Sequence, residues 1–537
     1  MIATKEDRTQ AIWIPLMIFL LSFFLASGQA LAQADKTPRG GTLKMIYQEP
    51  THLNMAIVSG TPTGVPALQI FAGLVQFDEN FKPQPYLAKK WEVSSDGKNY
   101  TFYLEEGATF HDGKPITSED VAFSLETVKA NHPFGVAMFR AVDRIDITDP
   151  HKVVFRLNHP YPAFMAAIHP LLLPVIPKHI YGPGEIRKNP ANQKPVGSGP
   201  FKFVEWKRGQ HLILERNDKF FRPGRPYLDR IILEFIPDSN ARTVAMETGA
   251  THLIPYSYLS GDDALRLAKL PQFAMTQKGY EAIGSRTWFA VNLRKPPLND
   301  KRVRKAIAHA LDREFIVKEI FLGFGKEATA PFHHAGPFYH GKLPQYELNL
   351  NKANQLLDQA GFKRNADGVR FALNVDWIPN PAYQAVCEYT REQLKKVGIN
   401  ANLRASPDFP GWASKISAWD FDLNFDSVFD YPDPVIGIER MYISKNIKNL
   451  IWTNTMGYNN PEVDRLFAEA QVEQNFAKRK NLYHKVQEIL MDELPLIWLQ
   501  EGGFYTFYNK DFDGIPMDVW GVLNPYDTIY WRKGKTG

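Results

Sequence analysis

Cysteine is almost absent from this chain of 537 residues, which contains only Cys387. A lone cysteine excludes an intrachain disulfide framework, and a chain this long can bury a sufficient core without one. Cys387 lies in a helical pattern from Ala382 to Val397 with no His or basic partner nearby. We therefore expect a buried apolar side chain and not a reactive thiol.

A continuous stripe of basic residues is also missing, although the net charge is +5. The densest basic cluster, from Lys301 to Lys305, alternates with apolar residues and is typical of the solvated face of a helix. Nucleic-acid sites combine a basic stripe with interleaved aromatic residues, so we expect no nucleic-acid partner. The basic balance is only a weak indication of an anionic ligand or surface.

Motifs of common enzyme mechanisms are lacking as well. There is no HExxH, no GxSxG and no GxxxxGK[ST], which are signatures of zinc proteases, serine hydrolases and phosphate loops. His333, His334 and His340 raise the question of a metal site, but paired histidines in a Pro/Gly-rich loop are commonly just polar loop residues. We predict a non-enzyme with no cofactor and no metal.

Residues 1–34 have the pattern of a cleaved secretory signal. Two basic residues precede an apolar run from Ala11 to Ala26, and Ala30-Leu31-Ala32 is a small-x-small cleavage site. The alternative is an uncleaved anchor, but a run of about 16 apolar residues, interrupted by Pro15, is short for a span of about 20. We expect export to the periplasm of a two-membrane bacterium.

The most informative stretch runs from Trp91 to Leu125. Alternate positions from Tyr100 to Leu104 are apolar, which predicts a strand with one buried face. Two Asp-Gly pairs predict turns, and Thr117 or Ser118, followed by acidic residues, suits a helix start. The stretch therefore predicts strand, turn, strand, turn and capped helix.

The remainder predicts further strands and a more helical second half. The segment 59–64 is predicted as a Gly/Pro/Thr loop, and 201–217 as a hairpin turning at Arg208-Gly209. A strand-helix-strand order predicts α/β architecture with a partly parallel sheet. The later predicted elements are a helix after Asp300, a helix from Lys352 to Ala360, a strand from Phe371 to Trp377, a helix from Pro381 to Val397, a strand from Ile399 to Arg404, a helix from Pro461 to about Glu473 and a helix over 476–492.

Four blocks carry a resemblance to a known family. In chain order they are LAKKWEVSSDGKNYTFYLEEGATFHDGKPITSEDVAFSL, VGSGPFKFVEWKRGQHLILERNDKFF, VNLRKPPLNDKRVRKAIAHALDREFIV and DYPDP. They resemble the bacterial extracellular solute-binding proteins of the peptide, opine and nickel type (family 5), the periplasmic components of ABC importers. The resemblance extends over essentially the whole mature chain.

The resemblance implies an α/β, two-lobed periplasmic binding protein fold, class II of the cluster C type, with an extra domain inserted in the first lobe. A hinge near residues 290 and 505 would join the lobes. The implied divisions are 1–34 signal peptide; 35–75, 190–290 and 505–537 lobe one; 76–189 inserted domain; and 291–504 lobe two.

The resemblance also implies a role for Asp430. Peptide-binding members have an Asp three residues before an Asp-Pro or Glu-Pro step, and that Asp pairs with the α-ammonium of the peptide. A buried carboxylate in an apolar cleft needs a partner, so a cationic ligand group is suitable. The alternative is a rigid turn in which Asp430 and Asp433 accept local backbone N–H bonds.

Two departures from the family pattern concern the ligand. Peptide binders place Trp where this chain has Ser427, and dipeptide binders carry an Arg in the loop matching 378–381, where this chain has none. A longer peptide, an opine-like conjugate or another cationic solute therefore stays open. The predicted ligand-binding residues are Asp430, Phe429, Ser427, Trp419, Trp377, Ser59, Gly60 and Thr61.

The predicted function is capture without chemistry. Two lobes would close on a peptide or peptide-like solute and deliver it to an inner-membrane ABC permease with cytoplasmic ATPase subunits, the binding protein acting as a monomer. The alternatives are a non-peptide solute (opine, nickel chelate or oligosaccharide) or, from another class, a secreted hydrolase.

Overall fold

The computed structural model describes residues 37–532. The predicted signal peptide lies outside the described residues. None of the helices in the described part of the chain combines the length and the apolarity that crossing a membrane requires.

The first sheet mixes parallel and antiparallel strands, and we call the body built on it lobe one. Thr42–Ile46 runs parallel to Arg230–Glu234, and the predicted hairpin is present as Phe201–Lys207 paired with His211–Arg216. In spatial order the strands are Phe273–Thr276, Thr506–Asn509, Leu253–Ile254, Thr42–Ile46, Arg230–Glu234, His211–Arg216 and Phe201–Lys207.

The second sheet carries the predicted strand-helix-strand unit, and we call its body lobe two. Phe371–Trp377 lies parallel to both Ile399–Leu403 and Leu423–Phe429, with helix Pro381–Lys396 as the connection. In spatial order the strands are Lys326–Glu327, Leu496–Glu501, Ser285–Val291, Leu423–Phe429, Phe371–Trp377 and Ile399–Leu403.

The stretch from Trp91 to Leu125 contributes two strands of a separate antiparallel sheet and the start of a helix beside it. We call the body built on this sheet the inserted domain. Tyr100, Phe102 and Leu104 are buried on one face of their strand, as predicted. Helix Ser118–Asn131 begins with a capping box between Thr117 and Asp120. The strands, in spatial order, are Ala88–Val93, Asn99–Leu104, Lys152–Leu157 and Val142–Asp149.

Helices cover these sheets, and several begin where a side chain caps them. Asp300 Oδ1 accepts the Arg302 N–H at 2.8 Å at the start of the helix predicted there. The α-helices are Thr61–Ile70, Ser118–Asn131, Gly135–Phe139, Ala163–Ala166, Lys178–Tyr181, Ser239–Glu247, Gly261–Leu267, Lys301–Ala310, Arg313–Phe315, Leu350–Gln359, Pro381–Lys396, Phe409–Ser417, Pro461–Val472 and Phe476–Glu493. Ile316–Ile320 is a π-helix.

Short elements complete the fold. The remaining paired strands are Val75–Phe77 with Pro83–Pro85 and Phe512–Asp513 with Tyr530–Trp531. The 3-10 helices are Met55–Ile57, Ile186–Lys188, Pro190–Asn192, Glu439–Met441, Ser444–Asn446 and Gly521–Leu523.

The chain crosses between the two lobes in neighbouring segments. Gly502 N donates to Ser285 O at 2.8 Å, which joins the return crossing to the outward one. One apolar core is shared by lobe one and the inserted domain, and another fills lobe two. Tyr431 and Ile436, which belong to lobe two, pack into the first of these cores, so the lobes are in contact.

Candidate functional site

A cavity of about 870 Å³ lies between lobe one, the inserted domain and lobe two. Its volume falls within the roughly 300–1,000 Å³ that small-molecule sites occupy. The wall is largely apolar and is drawn from all three bodies. The lining residues fall in 59–62 of lobe one, 133–140 of the inserted domain, and 427–436 and 439–453 of lobe two.

The strand Leu423–Phe429 carries part of this wall at its carboxyl end. Ser427 and Phe429 are the partly exposed residues of that end, and both line the cavity. Tyr431 follows with a positive φ of 56° and also lines it. In α/β sheets, ligands bind beyond the carboxyl ends of parallel strands, and this strand is parallel to its neighbour Phe371–Trp377.

The segment 59–64, part of which forms the lobe-one side of the cavity wall, was predicted to be a loop, and this prediction is wrong from Thr61 onwards. Helix Thr61–Ile70 begins within that segment, with Gly60 at the N-cap position and its carbonyl accepting the Gly64 N–H at 3.0 Å. Pro62 stands in the first turn of this helix. The N–H that proline lacks would have no intrahelical partner there, so the proline costs no hydrogen bond. Ser59, Gly60 and Thr61 all line the cavity.

Asp430 lies outside the lining of this cavity and has a partner within the chain. Its Oδ2 lies 3.2 Å from Arg286 Nη1 and accepts the His333 backbone N–H at 2.8 Å. Burial raises the pKa of the Asp430 carboxyl to about 6, while Arg286 acts in the opposite direction. Arg286 is thus a cationic partner for Asp430 within the chain, while Asp430 Oδ1 is buried without a hydrogen-bond partner in the described residues.

Asp433 accepts a local backbone hydrogen bond and also forms a long-range ion pair at the turn after the strand Leu423–Phe429. Its two carboxylate oxygens accept hydrogen bonds from Arg479 at 2.6 and 3.0 Å, and Oδ1 also accepts the Val435 N–H at 3.1 Å. A bidentate pair of this kind fixes both position and orientation.

The predicted tryptophans lie elsewhere. Trp377 is packed in the core of lobe two. The ring centroid of Trp419 lies 3.8 Å from the Arg294 guanidinium carbon, and neither tryptophan lines the cavity. The residues that sequence reasoning missed include Phe134, Glu439, Arg440 and Trp452. Each is a single residue in an irregular or short helical segment, so no periodic pattern or family motif marked it.

Two buried carboxyls stand beside or in the cavity wall. Asp426 Oδ1 accepts hydrogen bonds from Ser427 N at 2.6 Å and Trp452 Nε1 at 3.3 Å, and burial raises the pKa of Asp426 to about 7. Glu439 Oε1 accepts from Gln471 Nε2 at 2.5 Å, and its Oε2 is buried without a partner in the described chain. Burial raises the pKa of Glu439 to about 7.

The three histidines considered as metal ligands, His333, His334 and His340, lie in two separate places. Within residues 37–532, one group of side chains has metal-ligand spacing: His333, His334 and Glu501, whose candidate ligand atoms lie within 4.8 Å of one another. His334 Nδ1 lies 2.8 Å from Glu501 Oε1, and Lys326 Nζ lies 3.4 Å from His334 Nε2. His340 stacks on His484 instead.

A two-lobed α/β chain with a cavity between its lobes has the architecture of a solute-binding protein, and comparisons with known proteins support this assignment. The oligopeptide-binding protein AppA of Bacillus subtilis (strain 168) is 27% identical over 558 residues, 98% of each chain. DppA of Helicobacter pylori, in complex with the peptide STSA, superposes with a TM-score of 0.77 at 25% identity, over 92% of this chain and 99% of that one. NikZ of Campylobacter jejuni, in complex with Ni(L-His), gives 0.76 at 25% identity, over 90% and 97%.

The family described as bacterial extracellular solute-binding proteins, family 5 (middle) matches residues 82–449. The chain belongs to this family. The predicted family and the two-lobed α/β fold are thereby confirmed, and the family is one of solute-binding proteins and not of enzymes.

Proposed function

We propose that this protein captures a peptide or peptide-like solute between its lobes and releases it unaltered to an inner-membrane ABC permease driven by cytoplasmic ATPase subunits. The observation that carries the proposal is the cavity itself. Its wall is apolar with a few polar and charged groups, as in sites that bury most of a small ligand.

Closure would trap the solute. Ser59 and Thr61 approach the cavity from lobe one, while Ser427 and Phe429 approach it from lobe two. A ligand that touches both sets of residues only when the lobes are shut shifts the equilibrium towards the closed form.

The volume of about 870 Å³ favours a compact solute. It supports a short peptide or a conjugate of similar size. AppA is an oligopeptide-binding protein and the DppA structure holds the peptide STSA, which supports the peptide class.

We also propose the location, the oligomeric state and the domain divisions of the protein. The signal-like residues 1–34 support export and cleavage, hence a periplasmic protein, and we propose that it acts as a monomer. The proposed divisions of the chain are lobe one at 35–75, 190–290 and 505–537, the inserted domain at 76–189, and lobe two at 291–504.

A non-peptide solute is the second candidate. The structural match to NikZ with Ni(L-His) favours a metal chelate as one such solute, beside an opine or an oligosaccharide. A secreted hydrolase has no motif to support it in the sequence.

Native mass spectrometry of protein purified without a ligand-removal step tests the proposal. We expect a 1:1 complex whose extra mass matches a short peptide and is lost on unfolding. A co-purified mass that matches a nickel chelate, an opine or a sugar would replace the peptide by that solute, and turnover of added peptides would contradict capture without chemistry.

A further inference from the structure

Arg440 differs from Arg286 and Arg479, two buried arginines near the cavity, because it takes part in none of the ion pairs among the described residues. It lines the cavity, and its Nε is buried with no hydrogen-bond partner in the described chain. Arg286 and Arg479 each pair with an aspartate. Asp426 and Asp430 act on the Arg440 guanidinium electrostatically from beyond ion-pair distance, but no carboxylate of the described residues pairs with it directly. A partly desolvated guanidinium that lacks a direct partner marks a place for an anionic group.

The inserted domain supports the Arg440 guanidinium from one side. The guanidinium lies 4.7 Å from the ring centroid of Phe134, a cation–π contact, and Phe134 packs edge-on against Tyr431 at 5.5 Å. The stacked guanidinium is therefore positioned by residues of two different bodies, with its remaining donors available to a ligand.

Most of the other charged groups in the cavity lining are also positive. Arg140 lines the wall, and Lys445 and Lys448 stand exposed at its rim. Within the described residues, Glu439 is the acidic group of the lining. A cleft lined mainly by one sign of charge attracts ligands of the opposite sign.

Glu439 is compatible with an acidic ligand. One of its oxygens has no partner, and burial raises the pKa of its carboxyl to about 7. In its protonated form it donates a hydrogen bond, and a ligand carboxylate is a suitable acceptor.

The residue expected to hold an ammonium is not in the wall. Asp430 is paired with Arg286, and neither Asp430 nor Asp426 belongs to the cavity lining in the part of the chain described. Around the charged groups the wall is apolar, from residues such as Val428, Phe429 and Ile436. Low-polarity surroundings strengthen an ion pair formed there.

We propose that Arg440, supported by Phe134, binds the carboxylate of the captured solute, and that the site selects apolar solutes with an acidic group over those with an amine. This inference rests on the proposed function and deepens it. A planar guanidinium can hold a carboxylate through two parallel hydrogen bonds.

The test uses two tripeptide libraries of identical apolar composition. One has an acetylated N-terminus and a free carboxylate, and the other has a free amine and an amidated C-terminus. Competition of the libraries for the full-length mature protein, read by native mass spectrometry, should favour the carboxylate library at least tenfold. Affinities of the retained peptides are then measured by titration calorimetry.

Variants assign the effect to Arg440. Arg440→Met should weaken binding of the retained carboxylate peptides at least tenfold, whereas Arg440→Lys, which keeps the charge, should retain part of the affinity. Arg208→Met is the matched control: that guanidinium stacks on Trp206 at 3.5 Å outside the cavity, and binding should not change. Thermal unfolding checks that each variant is folded.

The outcomes separate this inference from the proposed function. Preference for the amine library, or equal affinities for both, would overturn the role of Arg440 while leaving peptide capture intact. Unchanged binding by folded Arg440→Met would do the same. Binding of neither library by the wild-type protein would overturn peptide capture and this inference together.

Discussion

Arg286 and Asp430 form a buried ion pair, with Nη1 and Oδ2 3.2 Å apart, where the chain crosses between the lobes. The Asp430 backbone N–H donates to Gly284 O at 3.2 Å, and Arg286 Nη2 donates to Ala330 O at 2.7 Å. The pair therefore joins the end of a lobe-two strand to the crossing segment. We interpret Asp430 as a residue that holds the hinge side of lobe two.

Arg286→Met should lower the free energy of unfolding by about 3–5 kcal/mol, because it leaves the Asp430 carboxylate buried without a counter-charge. The double variant Arg286→Met/Asp430→Asn should be more stable than Arg286→Met alone. Urea denaturation measures both, and Arg266→Met, at a half-exposed ion pair, is the control with a change of less than about 1 kcal/mol. Loss of peptide affinity in folded Asp430→Asn would contradict this interpretation and indicate that Asp430 anchors the ligand.

Gly60→Trp should abolish ligand binding and leave the fold intact. Gly60 lines the cavity with a negative φ of −79°, and a Cβ there meets only Pro62 Cδ at 3.6 Å within 4 Å. An indole therefore fits the backbone and occupies ligand space. Calorimetry with a peptide that binds the wild-type protein measures the loss, and Gly60→Ala is the matched control with near-normal affinity. Equal affinity in Gly60→Trp would place the ligand elsewhere.

Asp426→Asn should stabilise the protein increasingly as the pH rises. Burial raises the pKa of Asp426 from 3.8 to about 7, so between these values the folded protein keeps a proton that the unfolded chain has lost. Stability from this group is therefore present at low pH and is lost as the pH rises towards 7. Asn keeps the acceptor for Ser427 N and Trp452 Nε1.

Thermal unfolding of wild type and Asp426→Asn from pH 4 to pH 8 checks this expectation. The difference in Tm should be small near pH 4 and grow up to about pH 7, and the exposed substitution Asp367→Asn should give a flat difference. A difference for Asp426→Asn that stays constant with pH would contradict the buried, protonated carboxyl.

Much of the fold could be predicted because it is encoded locally. The strand Phe371–Trp377 and the helix Pro381–Lys396 follow from hydrophobic period, an Asn380 cap and a proline in the first turn. The prediction of a loop for 59–64 was wrong because the Gly, Pro and Thr residues of that segment suit a loop as well as a helix start. Only its packing in lobe one distinguishes the two.

The site was less predictable because its residues come together only in the fold. Arg440 and Phe134 are about three hundred positions apart and meet at 4.7 Å, and no local pattern connects them. The reverse holds for Asp430: the DYPDP motif marked its place, but its partner Arg286 lies 144 positions away. A motif identifies a residue, whereas burial and long-range partners decide its role.

Small-angle X-ray scattering of the ligand-free protein, with and without a peptide that calorimetry shows to bind, tests the closing of the lobes most directly. We expect the radius of gyration to fall on binding and the recovered peptide to have an unchanged mass. A scattering curve that does not change at saturating peptide, or a peptide recovered as a cleaved product, would contradict capture by closure.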